Sequence, residues 1–362
     1  MPTRGEVLAR AAELRAEFVA AGAAVVETPI LPPAELLLDL YGEDIRARAY
    51  VTSDALRGEQ MLRPDFTVPV VQMHMAGGAE PARYTYAGEV FRRQEHDPDR
   101  ANEYVQVGYE VFDRADPAAA DAEVFARIAA ALSGLHLRAA TGDIGILMAA
   151  VRGLRTTERR KAALMRHIWR PRRFRALLDR FGGRVAPPPA RLALLAADAP
   201  LATTGPEIGL RGRAEVEARI AALREDAAAP PVSAHELDAL EALLAVRETL
   251  PFALEQLKDI AVDLPDIAPA LRRLEARIAA LAARGVDVER LDFEASYGRT
   301  SMEYYDGFVF GFYAADRPDL PPIATGGRYD ALTRRLGRGA EIPAVGGVLR
   351  PGLMLELAEA GR

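Results

Sequence analysis

The sequence predicts an α+β fold, an antiparallel sheet flanked by helices and interrupted by a helical insertion. Three observations support this prediction. Residues 82–112 carry the strongest β pattern of the chain, two apolar runs joined by a polar loop, which is typical of a long hairpin. From about residue 152 to 290 alanine, leucine and arginine dominate, and strand patterns are lost. Strand patterns return in VERLDFEAS, YYDGFVFGFY and PIATGG, which indicates that a helical block divides one β-rich unit.

The elements before the hairpin follow from hydrophobic periodicity. Apolar residues recur at helical spacing over residues 5–21, and Gly22 is typical of a helix C-terminus. The run AAVVETPIL predicts a short strand that is broken at Pro29. Residues 34–40 predict one or two helical turns.

The hairpin is followed by a helix and a strand–helix pair. Residues 121–132 have helical spacing. The stretch LHLRAATGDIGILMAAV predicts a strand followed by a helix, with Asp143 as the N-cap. Prolines at 187–189 and 230–231 then divide the helical block into pieces.

The C-terminal part returns to the sheet. After the last strand patterns, the sequence predicts a helix over about 328–336, a loop, and a final helix over about 352–360. We therefore expect a core built from residues 1–150 and 265–362, with a helical insertion over residues 151–264.

Composition excludes several classes of protein. The chain has 362 residues, of which 50% are hydrophobic and 27% charged, as in soluble globular proteins of two or three domains. A net charge of −6 argues against a dedicated nucleic-acid binder, and the absence of cysteine excludes disulfides and thiolate chemistry. No apolar run could span a bilayer, and the N-terminal helix contains acids, unlike a signal peptide, so we expect a cytoplasmic protein.

Two simple cofactor patterns are missing. His74, His96, His136 and His167 lie in unrelated predicted elements without metal-ligand spacing. The pair at 326–327 lacks the glycine spacing of a dinucleotide site. We expect neither a metal nor a bound cofactor.

Polar residues of the hairpin form a candidate binding surface. Residues two apart share a strand face, so Gln106, Gly108 and Glu110 point the same way. The glycine would leave a gap where Glu110 could hold a small cation; the alternative is a solvated face with Gly108 at a twist or bulge. Arg92 could clamp a phosphate or carboxylate, or be one more solvated charge. Asp65, in LRPDFT, could accept from an ammonium or cap the next turn.

Six stretches, taken in order, resemble histidyl-tRNA synthetase, a class II aminoacyl-tRNA synthetase. ETPIL resembles the end of the first class motif, and LRPDFT resembles LRPEGT. FRRQ and VQVGYEVF resemble the second motif and the QxGxE that follows it. EYYDGFVF and ATGGRYDAL resemble the histidine-specific DYYTGxVFE and AGGRYDGL. The resemblance covers nearly all of residues 5–140 and 285–350. It implies a class II synthetase-like core that dimerises through residues around 10–50.

The resemblance also implies a histidine pocket. Its α-ammonium ligands would be Asp65, Gln106 and Glu110. The imidazole neighbourhood would comprise Tyr304 and Tyr305, with Arg328, Tyr329 and Asp330 nearby. No catalytic residue is implied for this chain, because the motifs for ATP depart from the family pattern.

The departure is clearest in the third motif. The family has VGFAxGxERL, whereas this chain has VGGVLRPGLM over residues 345–354. Leu353 replaces the arginine, and Arg350 replaces the second glycine. Arg350 could act from a shifted backbone, although we favour loss of the cation. The acid two residues after Arg92 has become Gln94.

A histidine-specific arginine is displaced as well. Thr300 stands four residues before the paired tyrosines, where the family has arginine, and an insertion could restore Arg299 to that place. Positioned cations supply most of the stabilisation of charge in the activation step. The resemblance therefore implies that synthetase chemistry is lost, while Arg92 and Arg299 remain candidates for the carboxylate of histidine.

A paralogous family has the same features, the synthetase-like regulatory subunits of short-form ATP phosphoribosyltransferase. The sequence also stops at Arg362, where a synthetase continues into an anticodon-binding domain. This resemblance implies a catalytic short-form subunit as partner, which the chain activates and makes sensitive to histidine in the first step of histidine biosynthesis. It also implies a homodimer within a hetero-oligomer.

Two other functions stay open at this point. One is a free-standing enzyme that activates or transfers a histidine-like amino acid. The other depends on the basic stretch 155–180, which could contact phosphates, dock a partner, or be a solvated helical face. We favour the solvated face and expect no nucleic acid and no membrane as partners.

Overall fold

The computed structural model describes residues 2–41, 48–94, 100–202, 205, 209–299 and 304–360. Its α-helices are α1 (Arg4–Ala20), α2 (Ala34–Tyr41), α3 (Thr67–Met75), α4 (Pro117–Ala131), α5 (Ile144–Gly153), α6 (Glu158–Arg166), α7 (Pro171–Phe181), α8 (Pro189–Ala196), α9 (Arg213–Ala228), α10 (Ala234–Ala245), α11 (Leu250–Ile260), α12 (Ala268–Ala283), α13 (Asp330–Leu336) and α14 (Pro351–Ala360). Its strands are β1 (Ala24–Val25), β2 (Val51–Asp54), β3 (Gly58–Met61), β4 (Ala82–Phe91), β5 (Glu103–Phe112), β6 (Leu137–Asp143), β7 (Arg247–Thr249), β8 (Asp292–Glu294), β9 (Phe308–Ala314), β10 (Ala324–Arg328) and β11 (Ala344–Leu349). In this part of the chain no helix is long and apolar enough to cross a membrane.

Helix α1 begins at a capping box. The Thr3 hydroxyl accepts a hydrogen bond from the Glu6 amide at 3.3 Å, and the Glu6 carboxylate accepts one from the Thr3 amide at 2.7 Å. Leu14 and Phe18 belong to its buried face, which packs against β4 and β5. The predicted first helix is confirmed.

Nine of the described strands form one sheet in the order β1-β4-β5-β11-β10-β9-β6-β8-β7. Neighbours are antiparallel, except that β1 is parallel to β4 and β6 is parallel to β8. The hairpin of β4 and β5 is paired from Ala82 opposite Phe112 to Phe91 opposite Glu103. The predicted antiparallel sheet and its long hairpin are therefore confirmed, and the parallel pairs involve short strands towards the two sides of the sheet.

Three features differ from the sequence-based expectation. We expected a loop before the last helix. This prediction is wrong, because residues 344–349 form β11, which lies in the sheet between β5 and β10. Its Gly346 and Gly347 weaken a strand pattern in the sequence. Strand β7 lies within the span expected to be purely helical, and it returns the chain to the sheet before residue 265. The small hairpin of β2 and β3 was not predicted.

One side of the sheet, here called the back face, is an apolar layer. It carries Val107 and Tyr109 of β5 and is covered by α4. Phe125 of α4 packs against Phe310 and Phe312 of β9, with ring centroids 5.3 and 5.2 Å apart. This layer holds the central strands in place and leaves the opposite side of the sheet available for polar groups.

Buried ion pairs connect the back face to α12. Arg277 donates to Asp121 of α4 and to Asp143 at the end of β6, both at 2.8 Å. Asp143 also accepts from the Gly145 amide at 2.8 Å, which confirms it as the N-cap of α5. Asp121 accepts from Arg328 at 2.7 Å. These buried charges compensate one another.

The helical block between α6 and α10 has its own packing. Arg160 is buried, donates to the Asp226 carboxylate at 2.7 Å and also donates to the Pro230 carbonyl at 2.7 Å. Arg159 lies 3.7 Å from Glu225. Part of the basic stretch 155–180 is therefore paired with acids of the block itself. Arg159 fits the expected solvated face, whereas Arg160 is buried and does not. The domain boundaries drawn from the sequence stay predictions.

Candidate functional site

The side of the sheet opposite the back face, here called the front face, holds the candidate residues of β5. In the pairing register Gly108 lies opposite Tyr86 of β4 and Val348 of β11, and Glu110 lies opposite Gly346 of β11. Gln106, Gly108 and Glu110 therefore share one face, as predicted. Gln106 and Glu110 are 0% and 1% exposed, so the alternative of a solvated strand face is wrong.

The gap expected above Gly108 is filled by the chain itself. A Cβ atom at Gly108 would lie 2.0 Å from the ring of Tyr86, which crosses over it from the neighbouring strand. Phe66 stacks on that ring with a centroid separation of 4.3 Å. The expectation that a cationic group could sit over Gly108 is therefore wrong, and Gly108 serves to admit the tyrosine.

Glu110 is surrounded by hydroxyl donors. Its Oε1 accepts from Tyr86 at 2.7 Å and from Thr67 at 3.0 Å, and its Oε2 accepts from Tyr329 at 2.5 Å. A Cβ at Gly346 would lie 1.4 Å from Oε2, so only glycine leaves room for this carboxylate. A carboxylate has about four acceptor positions, so one stays available for a ligand N–H.

The proton affinity of Glu110 is unusual. Burial raises the pKa of Glu110 to about 7, and the three hydroxyl hydrogen bonds act in the opposite direction by stabilising the charged form. Its carboxyl is therefore protonated more readily than that of an exposed glutamate. A cationic ligand group beside it would lower that pKa and favour the carboxylate.

Gln106 is a buried amide without a hydrogen-bond partner among the described residues. Neither its Oε1 nor its Nε2 has a hydrogen bond to any residue that the structure describes. It lies opposite Gly88 in the hairpin, so no side chain from that position of β4 can reach it. A buried polar group left unpaired costs free energy, and such a group commonly marks a ligand site.

Aromatic residues form one wall of the front face. The rings of Tyr304 and Tyr305 meet edge to face at 4.9 Å, and Tyr304 meets Tyr329 at 6.1 Å. A Cβ at Gly327 would lie 2.7 Å from the Tyr305 ring, so this glycine again makes room for an aromatic side chain. Burial raises the pKa of Tyr305, and the negative charge of Glu110 adds to the shift. The paired tyrosines therefore lie next to the acid, as the resemblance implied.

Asp65 has the capping contact that the sequence allowed. Its Oδ1 accepts from the Val68 amide at 3.3 Å in the first turn of α3. It is also close enough to Glu110 to raise the pKa of that carboxyl. Asp65 thus lies at the same end of the front face as Glu110, with one carboxylate oxygen used by the helix.

The motif GGRYD contributes one residue to this face. Tyr329 bonds Glu110, but Arg328 belongs to the back face, where it donates to Asp121 at 2.7 Å and to Asp330 at 3.0 Å. Asp330 in turn accepts from the Ala344 amide at 2.9 Å. Strand alternation turns Arg328 away from Glu110 and the paired tyrosines, and Asp330 pairs with Arg328, so the structure does not bring these two residues to the front face.

A large cavity adjoins the polar end of β5. Its volume is about 1100 Å³, and it is lined by Arg92, Arg350 and Leu353 among others. Arg92 donates to the Pro64 carbonyl at 2.7 Å, and Arg350 donates to the Pro322 carbonyl. Gln94 donates to the Ala101 carbonyl at 3.4 Å. The residues of the altered synthetase motifs are thus brought together, and Arg350 is among them.

Arg299 is placed against the helical block. It donates from Nε to the Ile168 carbonyl at 2.7 Å, and its guanidinium lies 4.7 Å from the centroid of the Phe174 ring. Burial lowers its pKa to about 10. Its Nη2 is buried without a hydrogen-bond partner in the described part of the chain. Thr300 lies outside the described residues. The role of Arg299 in histidine binding stays a prediction.

Sequence reasoning missed Thr67, Tyr86 and Gly346 as parts of the site. Thr67 stands in the LRPDFT stretch that was singled out, and Tyr86 could have been found by aligning the hairpin, since it lies opposite Gly108. Gly346 had no local signal. Its role depends on Glu110, a residue far away in the sequence that pairs with it only after the sheet has formed.

Comparison with known proteins supports the fold and the family. A family model described as histidyl-tRNA synthetase matches residues 5–202 and 213–351. Relatives from Brucella ovis and Brucella abortus are each 34% identical over 358 residues, 92% of this chain and 93% and 92% of theirs; both are named ATP phosphoribosyltransferase regulatory subunit.

Solved structures agree on the fold. A protein from Bacillus halodurans C, described as an ATP phosphoribosyltransferase regulatory subunit/histidyl-tRNA synthetase, has a TM-score of 0.69 at 22% identity and covers 99% of this chain and 80% of that chain. A histidyl-tRNA synthetase from Nostoc has a TM-score of 0.64 at 18% identity, covering 98% and 72%. The fold is therefore that of a class II synthetase-like protein. The chain belongs to the histidyl-tRNA synthetase family, and within it to the ATP phosphoribosyltransferase regulatory subunits.

Proposed function

We propose that this chain is the non-catalytic regulatory subunit of a short-form ATP phosphoribosyltransferase, and that histidine bound on its front face inhibits the complex. The names of its relatives support the regulatory role and a catalytic partner. The observation that carries the histidine site is Gln106, a buried amide without a partner among the described residues, on the same strand face as a buried Glu110 that has one acceptor position left.

The front face suits an α-ammonium group at one end. Glu110 offers an acceptor position at this end and Asp65 adds negative charge, while Gln106, four residues away on the same face of β5, offers its amide towards the other end. A charge-assisted hydrogen bond in such a buried place is stronger than a neutral one. The ring of histidine would then lie along Tyr304 and Tyr305, where aromatic edges and faces are available.

The altered motifs support the absence of amino-acid activation. Leu353 contributes an apolar side chain to the cavity where the family has an arginine. Losing one donor to a transition-state charge costs on the order of a hundredfold or more in rate. We expect no histidine-dependent exchange between ATP and pyrophosphate by the purified chain. Robust exchange would favour the alternative of a free-standing activating enzyme.

Inhibition requires that histidine bind the active and inhibited assemblies with different affinity. The pocket has a route to the rest of the molecule, because the Trp169 indole of the helical block donates to the Tyr305 carbonyl at 3.2 Å. A shift of the Tyr304–Tyr305 segment on ligand binding would therefore change this hydrogen bond to the helical block.

The proposal is tested by combining this chain with a candidate short catalytic subunit and titrating histidine. We expect co-purification, activation of the catalytic chain, and inhibition by histidine. Glu110→Gln keeps the size of the side chain and lets the three hydroxyls rotate to suit the amide. Its loss of charge should weaken inhibition roughly tenfold to a hundredfold.

Glu110→Gln is a better test than Glu110→Ala, because alanine would leave three buried hydroxyls without their acceptor. Activation of the catalytic chain should be retained in the variant. An unchanged inhibition curve would show that the regulating histidine binds elsewhere, and failure to activate any short catalytic chain would refute the regulatory role.

A further inference from the structure

Arg350 lies on the front face of the sheet. Gly346 pairs with Glu110, Val348 pairs with Gly108, and Leu349 pairs with Val107. Because side chains alternate along a strand, the next residue after Leu349 points to the same side as Val348. The side chain at position 350 is therefore directed towards the end of β5 that carries Gln106.

Arg350 has no acidic partner in the part of the chain that the structure describes. Other arginines of the same cavity do have one, since Arg4 lies 2.7 Å from Glu89 and Arg317 lies 2.6 Å from Asp319. Arg350 instead uses one nitrogen for the Pro322 carbonyl. A partly buried cation without a counter-ion is costly, so this arrangement favours a bound anion.

A second guanidinium increases that cost. Arg92 lines the same cavity. Burial lowers the pKa of Arg350 most, Tyr104 acts in the opposite direction, and the charge of Arg92 lowers the pKa further. Two cations within electrostatic range of each other disfavour each other's charged form, and an anion bound between them would offset that repulsion. The helix α14 begins at Pro351, so the positive end of its dipole adds to the same potential.

Tyr305 connects the cationic end to the acidic end. Burial raises the pKa of Tyr305 most, Glu110 and Asp65 add to the rise, and Arg92 opposes it, so the phenol lies within electrostatic range of both groups. Arg350 is within range of Tyr305 as well. The front face therefore has acids at one end and arginines at the other, which is the charge pattern that complements a zwitterionic amino acid.

We propose that Arg350, with Arg92 beside it, binds the carboxylate of the amino acid held by Glu110 and Gln106. The arginine that interrupts the third motif thus takes the place of the cation missing at Thr300. Arg299 fits this role less well, because its Nε donates to the Ile168 carbonyl and its guanidinium lies over the Phe174 ring, and both residues belong to the helical block. The inference rests on the proposed histidine site and adds the group that selects for a free carboxylate.

The test compares two probes on the purified chain by calorimetry, L-histidine and L-histidinol, which has a hydroxymethyl group in place of the carboxylate. We expect Arg350→Gln to weaken histidine roughly tenfold to a hundredfold and to leave histidinol unchanged. Arg350→Lys keeps the charge and should recover part of the histidine affinity. Arg317→Gln, at the same cavity but already paired with Asp319, should change neither affinity.

Each outcome has one meaning. A selective loss for histidine supports the inference. Equal losses for both probes would make Arg350 a structural residue, and unchanged histidine affinity would place the carboxylate elsewhere; either result overturns this inference but leaves the histidine site intact. Absence of histidine binding by the unmodified chain would instead overturn the proposed site itself.

Discussion

Replacing Gln106 by leucine should stabilise the ligand-free protein while weakening histidine binding. The side chain is 0% exposed, and both of its amide atoms lack a partner in the described structure. An unpaired buried polar group costs about 1–3 kcal/mol. Leucine has a similar size and no polar atoms, so Gln106→Leu should raise the free energy of unfolding of the ligand-free chain by about that amount.

The same change removes hydrogen bonds to the ligand. A hydrogen bond to a charged group contributes about 1.5–3 kcal/mol, which corresponds to a loss of roughly tenfold to a hundredfold in histidine affinity. Urea unfolding with and without histidine measures both effects, since a ligand that binds only the folded state adds stability. The variant should start from a higher midpoint and gain less from histidine.

The control is Gln256→Leu, which makes the same substitution at an exposed position of α11. It should leave the histidine-dependent gain unchanged. If Gln106→Leu destabilises the ligand-free chain by more than about 1 kcal/mol, then the amide has a partner within the protein, and the argument for an open ligand position fails.

Three further predictions follow from the same contacts. Tyr86→Phe should weaken histidine binding roughly tenfold, because Glu110 loses a hydroxyl donor. Tyr109→Phe removes an equivalent 2.6 Å bond to Glu123 on the back face and should leave histidine binding unchanged. Calorimetric titration of both variants with histidine measures the difference. The ligand-free protein should lose stability as pH rises from about 4.5 to about 7. Burial raises the pKa of Glu110 to about 7, so the folded state holds this proton more tightly than the unfolded state does. The protonated carboxyl therefore adds roughly 3 kcal/mol to the free energy of unfolding below the unfolded pKa, and this stabilisation is lost as pH rises to the folded pKa. Urea midpoints across this range should fall for the natural chain and less for Glu110→Gln, and equal slopes would contradict the assignment. Trp169→Phe should shift the histidine inhibition curve of the complex without preventing assembly, since it removes the bond from the helical block to the Tyr305 carbonyl; an unmoved curve would exclude this route.

The parts of the fold that sequence could predict are those with local signals. The hairpin of β4 and β5 follows from alternating apolar runs around a polar loop, and α1 follows from helical spacing after Thr3. Strand β11 had no such signal, because its two glycines lower the strand propensity. It forms because its neighbours β5 and β10 supply hydrogen bonds on both sides.

The candidate site was predicted to a similar extent. Strand alternation placed Gln106 and Glu110 on one face, but it could not show that Tyr86 from the adjacent strand fills the space over Gly108. Motif alignment marked Arg350 as a residue out of place. Only the pairing of β11 with β5 shows that its side chain is directed to the same face as Glu110.

The glycines of the front face explain why local reasoning failed there. Gly108, Gly327 and Gly346 each lie beneath the side chain of another residue, and a Cβ at any of them would meet that side chain within 2.7 Å. Glycine weakens a strand, so these positions reduce local β propensity in order to admit Tyr86, Tyr305 and the carboxylate of Glu110. The stability that is lost on this side must come from elsewhere, and burial of the aromatic layer on the back face contributes to it. Local sequence rules and the final structure therefore disagree mainly where the molecule buries the polar groups of the candidate site, and a functional site is expected to break such rules.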